Sequence, residues 1–84
     1  MYNIVLSRHA AKALEKATPA MRRRLIAALE KLKAKPHSGK KLRGELAGLF
    51  SLRIGGMRAV YGLDADKKVV VVLAIGQRGD IYKK

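Results

Sequence analysis

Leu49-Phe50-Ser51-Leu52-Arg53-Ile54-Gly55-Gly56-Met57-Arg58-Ala59-Val60-Tyr61 is the stretch that decides the fold. Two alternating segments flank a Gly-Gly pair, and both glycines tolerate positive φ, so the spacing predicts a tight β-hairpin. Alternation sends Phe50, Leu52 and Ile54 to one side of the first strand, and Ser51 and Arg53 to the other. On the second strand Arg58 is set against Met57 and Ala59 in the same way. The hairpin therefore carries two arginines and no acidic residue. It reads as the floor of an anion-handling surface.

Downstream, Asp64-Ala65-Asp66-Lys67-Lys68 predicts a longer turn. The β-branched run Val69–Ile75 that follows suits a central strand covered on both sides. Gly76 interrupts it before Gln77-Arg78-Gly79-Asp80-Ile81-Tyr82. Upstream, residues 36–48 read as a linker-like connection. Its Lys40, Lys41 and Arg43 are either candidate phosphate contacts or plain solvated charges.

Further back the periodicity changes. Tyr2, Ile4 and Leu6 alternate with Asn3 and Val5, a short half-buried strand. Ser7 is placed to cap a first helix through Arg8–Ala17, with Leu14 as its clearest core residue and Ala10, Ala13 and Ala17 beside it. Thr18-Pro19 starts a second helix, because threonine accepts from orphan N–H groups and proline suits the first helical position. In that helix Met21, Leu25, Ala28, Leu29 and Leu32 fall on one apolar stripe. Arg22 and Arg23 lie roughly opposite, with Arg24 nearer the boundary, and read as a solvated face. Pro36 stops the helix near Lys35. The order is β-α-α-β-β-β. It predicts an α+β fold in which an N-terminal strand and an α-helical hairpin precede a three-stranded antiparallel β-meander. The helices cover one face of the sheet and leave the other to a ligand. The first strand joins the sheet beside a neighbour that the sequence does not name.

Eighty-four residues predict a single domain spanning residues 1–84, burying roughly 60–65% of its unfolded surface, so its stability margin is thin. With 49% hydrophobic and 30% charged residues the chain is neither disordered nor membrane-spanning, since its longest apolar run is a strand's length. Met1–Leu6 lacks a basic start and a cleavage site, and cysteine is absent. Neither a signal peptide, a disulfide nor a thiolate metal site is expected, and the cytoplasm is the expected location. The informative quantity is charge. Nineteen Lys and Arg against six Asp and Glu give +13, a field that attracts nucleic acid or an acidic protein and opposes self-association.

His9 and His37 have no carboxylate at a spacing that forms a metal site or an acid–base pair, and both read as surface histidines. No nucleotide-binding or serine-hydrolase motif is present, so no cofactor and no metal are expected. What remains is Arg53, Arg58, Arg78 and Tyr82. Arginine is a poor base and a good clamp: its fixed fork of donors matches phosphate oxygens and stabilises charge growing in a phosphoryl transition state. Tyr82 can stack on a base and offer a hydroxyl. The alternative is that the arginines are surface charges and Tyr82 caps the core.

Lys41-Leu42-Arg43-Gly44, then Leu49 to Tyr61, then Ala74-Ile75-Gly76-Gln77-Arg78-Gly79-Asp80-Ile81-Tyr82 together resemble the RelE/ParE toxin superfamily over essentially the whole chain. The resemblance implies a toxin of a type II toxin–antitoxin module. In the RelE branch such a toxin is a ribosome-dependent mRNA endoribonuclease, which enters the ribosomal A site and cuts messenger RNA by attack of the RNA 2′-hydroxyl on the adjacent phosphate. The implied partners are a cognate acidic antitoxin, forming a hetero-oligomer with the toxin, and the ribosome with its messenger RNA; no membrane partner is implied.

By position, Arg53, Arg58, Arg78 and Tyr82 match the catalytic set of the ribonuclease branch. Arg58 and Arg78 hold the scissile phosphate, Arg78 also assists the leaving oxygen, and Tyr82 orients the nucleotide. Lys40, Lys41, Arg43 and Ser51 are the further RNA or ribosome contacts. There is one departure. RelE-type enzymes carry lysines on the first hairpin strand, one a candidate general base, where this chain has Ser51 and Arg53. A protonated arginine does not accept the 2′-hydroxyl proton, so the base is unassigned. With two residues after Tyr82, no C-terminal helix of the kind some members carry is expected. The alternative implied reading is a ParE-like inhibitor of DNA gyrase without nuclease activity, and a third is a binding module that keeps the antitoxin contacts alone.

Overall fold

Gly55 and Gly56 form the two-residue turn of a hairpin closed by Ile54 opposite Met57. Gly55 alone of the two has positive φ, +61°, as in a type II′ rather than a type I′ turn. The computed structural model describes residues 1–77. Its elements are β1 (Asn3–Leu6), α1 (Arg8–Lys16), α2 (Pro19–Ala34), β2 (Lys40–Lys41), a 3-10 turn (Gly44–Leu46), β3 (Leu49–Ile54), β4 (Met57–Asp64) and β5 (Val69–Gln77). The α+β class and the strand–helix–helix–meander order expected from the sequence are found, with β2 and the 3-10 turn inserted before the meander.

The strands form one sheet in the order β1-β5-β4-β3-β2. β2–β3, β3–β4 and β4–β5 are antiparallel, and β1 lies parallel to β5, with Ile4 opposite Val70 and Leu6 opposite Val72. The linker expected at residues 36–48 is thus partly regular, contributing an edge strand and a 3-10 turn. Two residues are too short a strand to show alternation. Gly76 does not interrupt β5, which runs on to Gln77 and places Gly76 opposite Arg58.

Both helix starts follow their caps. Ser7 Oγ accepts from the Ala10 N–H at 3.1 Å and donates to the Leu73 carbonyl at 2.7 Å. Thr18 Oγ1 accepts from the Met21 N–H at 3.2 Å, with Pro19 at the first helical position. α1 packs on β5, and α2 on β1 and β3. Leu25, Leu29 and Leu32 of α2 are buried against Phe50, Ile54, Ala59, Tyr61, Val70, Val72 and Ile75 of the sheet, each large side chain contributing about 1.5–3 kcal/mol. Leu14 is only half-buried. The fully buried residue of α1 is Ala10, part of the core where the helix lies on β5.

The helix pair covers one face of the sheet. The expectation that Val69–Ile75 is covered on both sides fails: β5 is interior to the sheet, yet Leu73 is 39% exposed, and Val5, register partner of Val71, is 48% exposed. Interior position satisfies the backbone; it does not cover both faces. A register shift between Val60 and Tyr61 leaves Leu73 as the extra residue of β5, a bulge of the kind that twists a sheet locally.

Candidate anion-binding site

The open face is built by the register of the hairpin. Arg53 lies directly opposite Arg58, Ser51 opposite Val60, and Lys40 opposite Ser51. Because partners in register share a face, these residues stand on the side away from the helices. Lys40, Ser51, Arg53 and Arg58 line one depression of about 330 Å³ together with Ser38, Gly39, Leu42 and Leu52. Among its described lining residues there is no carboxylate and no imidazole. Three cationic residues line this small hollow, two of them carrying bidentate forks, a composition that suits a phosphate or another oxyanion. They do not supply a base.

Four of the eight expected site residues are brought together here. Lys41 is not: its register partner is Phe50, so it lies on the helix-side face and lines a different hollow with His37, Leu49 and Leu63. Arg43 is exposed and precedes the 3-10 turn. Arg78 and Tyr82 lie outside the described residues. Arg53 also lines a groove of about 440 Å³ toward α2, with Arg24, Ala27, Ala28 and Lys31.

Two functional groups escaped the sequence reading. Arg22, expected on a solvated face, is half-buried and turns back to the carboxyl end of α1. Its guanidinium donates to the carbonyls of Leu14 at 3.2 Å, Glu15 at 2.8 Å and Ala17 at 3.2 Å. The other is Tyr61. Its ring is fully buried and stacks on Phe50 at 5.3 Å. Its hydroxyl donates to the Pro36 carbonyl at 2.9 Å and accepts from the Gly39 N–H at 3.0 Å. Burial pushes this phenol above its usual pKa, partly opposed by the bond from Gly39. The signal available beforehand was the strict alternation that puts Tyr61, a ring with a polar tip, on the core face.

A family model for the ParE toxins of type II toxin–antitoxin systems, parDE, matches residues 4–82. The chain belongs to the ParE toxin family. Within the RelE/ParE superfamily, the toxin RelG of Mycobacterium tuberculosis is 48% identical over 46 residues, which make up 55% of this chain and 53% of RelG. The chain thus spans about half the length of that curated relative. Solved structures extend the likeness to nearly the full length. A chain of the RelBE2 toxin–antitoxin complex of Mycobacterium tuberculosis matches with a TM-score of 0.83 and 34% identity, covering 92% of this chain and 98% of that one. The intact RelBE toxin–antitoxin complex of E. coli gives a TM-score of 0.82 and 26% identity over 92% of this chain and 96% of its own. The ParE-family fold therefore presents the Arg53–Arg58 hairpin on a sheet of RelE type.

Proposed function

We propose that this ParE-family chain is a toxin that binds single-stranded RNA on the open face of its sheet and cuts messenger RNA in the ribosomal A site. The observation that carries this reading is the opposed Arg53–Arg58 pair beside Lys40 and Ser51. A phosphodiester seated between the two guanidiniums has its non-bridging oxygens held and its growing negative charge neutralised. The 2′-hydroxyl oxygen then forms a bond to phosphorus as the bond to the 5′-oxygen breaks. The products are a 2′,3′-cyclic phosphate and a 5′-hydroxyl. Arg78 and Tyr82 are assigned to the leaving oxygen and the nucleotide by their place in the family pattern. The 2′-hydroxyl proton goes to solvent or to a ribosomal group, since neither Ser51 nor Arg53 accepts it readily, and the departing 5′-oxygen takes its proton from water.

The antitoxin proposed as partner is acidic, which a net charge of +13 favours, and it forms a hetero-oligomer with the toxin; the site of action is the cytoplasm. A second reading, inhibition of DNA gyrase, is favoured by the matching family model and by the lack of a base among the described lining residues. Mapping messenger 5′ ends in a translating extract separates the two. Codon-phased cuts that vanish with Arg58→Ala and Arg78→Ala support the ribonuclease. Intact messenger together with gyrase–DNA adducts rejects it.

A further inference from the structure

β2 is the weakest-held wall of the anion depression. It is two residues long, and its continuation is fastened by the Leu42 N–H donating to the Leu49 carbonyl at 3.0 Å. So short a strand does not fix its own register. Immediately before it, the chain descends from α2 through Pro36 to Gly39, and there the Tyr61 hydroxyl bridges Pro36 and Gly39 from below. The approach is close enough to demand glycine. A Cβ on residue 39 meets Tyr61 Oη at 2.5 Å and the Ser51 carbonyl oxygen at 3.0 Å. Tyr61 is itself fully buried and stacks on Phe50, which His37 meets edge-on at 5.7 Å. Lys40 is the next residue after Gly39.

We propose that Tyr61 is a positioning residue: through Gly39 it fixes Lys40 over the depression opposite Ser51, so that the lysine meets a second phosphate beside the one held by Arg53 and Arg58. The identity of the ligand, single-stranded RNA, rests on the reading above. The role of Tyr61 does not. Without its hydroxyl, the Gly39 N–H and Pro36 carbonyl lose their partner, the turn relaxes toward water, and Lys40 no longer faces the hollow.

The test is the salt dependence of binding, which counts phosphate contacts rather than stability. Wild type, Tyr61→Phe, Lys40→Ala and the double variant are titrated with a short RNA made uncleavable by 2′-O-methyl groups, and separately with inorganic pyrophosphate. For RNA, Lys40→Ala lowers the slope of log affinity against log salt by about 0.7, the value of one single-strand phosphate contact. Tyr61→Phe lowers it equally, and the double variant lowers it no further. With pyrophosphate the same ranking of the four proteins holds. Gly39→Ala disturbs the same contact from the loop side, its added methyl crowding Tyr61 Oη, and reproduces the loss if Tyr61→Phe fails to fold. An unchanged slope in Tyr61→Phe or Gly39→Ala, with only a lower unfolding midpoint, overturns the inference. Pyrophosphate binding that obeys this ranking without RNA binding upholds Tyr61 and rejects the RNA reading. Binding of neither probe rejects both.

Discussion

Arg53 and Arg58 are register partners across the hairpin, two like charges side by side on the open face. Opposed like charges on neighbouring strands destabilise a sheet by a few tenths to about 1 kcal/mol. Arg53→Gln is therefore expected to raise the urea midpoint slightly while weakening RNA binding and growth arrest at least tenfold. Measuring both on one preparation is the check. A variant that loses stability and activity together shows that Arg53 serves the fold instead.

Arg22 closes the end of α1. Arg22→Ala takes a donor from three carbonyls, of which that of Leu14 still accepts from the Ala17 N–H at 3.3 Å, and is expected to cost about 1–3 kcal/mol, with some of the loss made good by water. Arg22→Lys keeps the charge but presents a single ammonium to acceptors from three residues, so it recovers less than half of the loss. Chemical denaturation of both variants decides this, since a purely solvated arginine predicts no change in either.

Ser7 joins two elements with one hydroxyl, capping α1 and bonding the bulged strand at Leu73. Ser7→Ala is expected to cost about 1–2 kcal/mol. Ser7→Asp restores the cap acceptor but not the donor to Leu73, so it recovers only part of that. Thermal melts distinguish the two contributions.

Tyr61 makes the protein sensitive to alkali. Its folded pKa is raised above the usual 10.0, so the neutral phenol is the form the fold holds. The corresponding stability is fully present below pH 10 and is lost as pH rises through the folded value. Melting temperatures of wild type are expected to fall more steeply than those of Tyr61→Phe above pH 10. Parallel curves contradict this.

The parts of the fold that depend on local chemistry were legible in the sequence. Ser7, Thr18-Pro19 and Pro36 bound the two helices, the stripe from Met21 to Leu32 faces the core, and Gly55-Gly56 closes the hairpin. The place of Arg53, Arg58, Ser51 and Lys40 on one face was likewise half visible, because alternation on β3 and β4 settles three of the four. Lys40 was not separable from Lys41, since a two-residue strand carries no period and its face comes from pairing with Ser51. The parallel neighbour of β1 and the tertiary bonds of Arg22 and Tyr61 are set by packing at a distance, which no local pattern encodes. The superfamily resemblance supplied roles for Arg78 and Tyr82 that lie beyond residue 77, and it named the fold that the pairing order bears out.

The pairing of β1 with β5 joins residues 66 positions apart, as in the bond from Ser7 to Leu73. Closing so long a loop costs entropy before any contact repays it, and it slows folding. During folding, β1 waits without its neighbour until Val69–Val72 is brought to it. The hairpin, whose strands are adjacent in sequence, can form earlier. The basic hairpin is thus made before the sheet that supports it is complete. The Arg53–Arg58 pair is therefore set face to face before β1 completes the far side of the sheet.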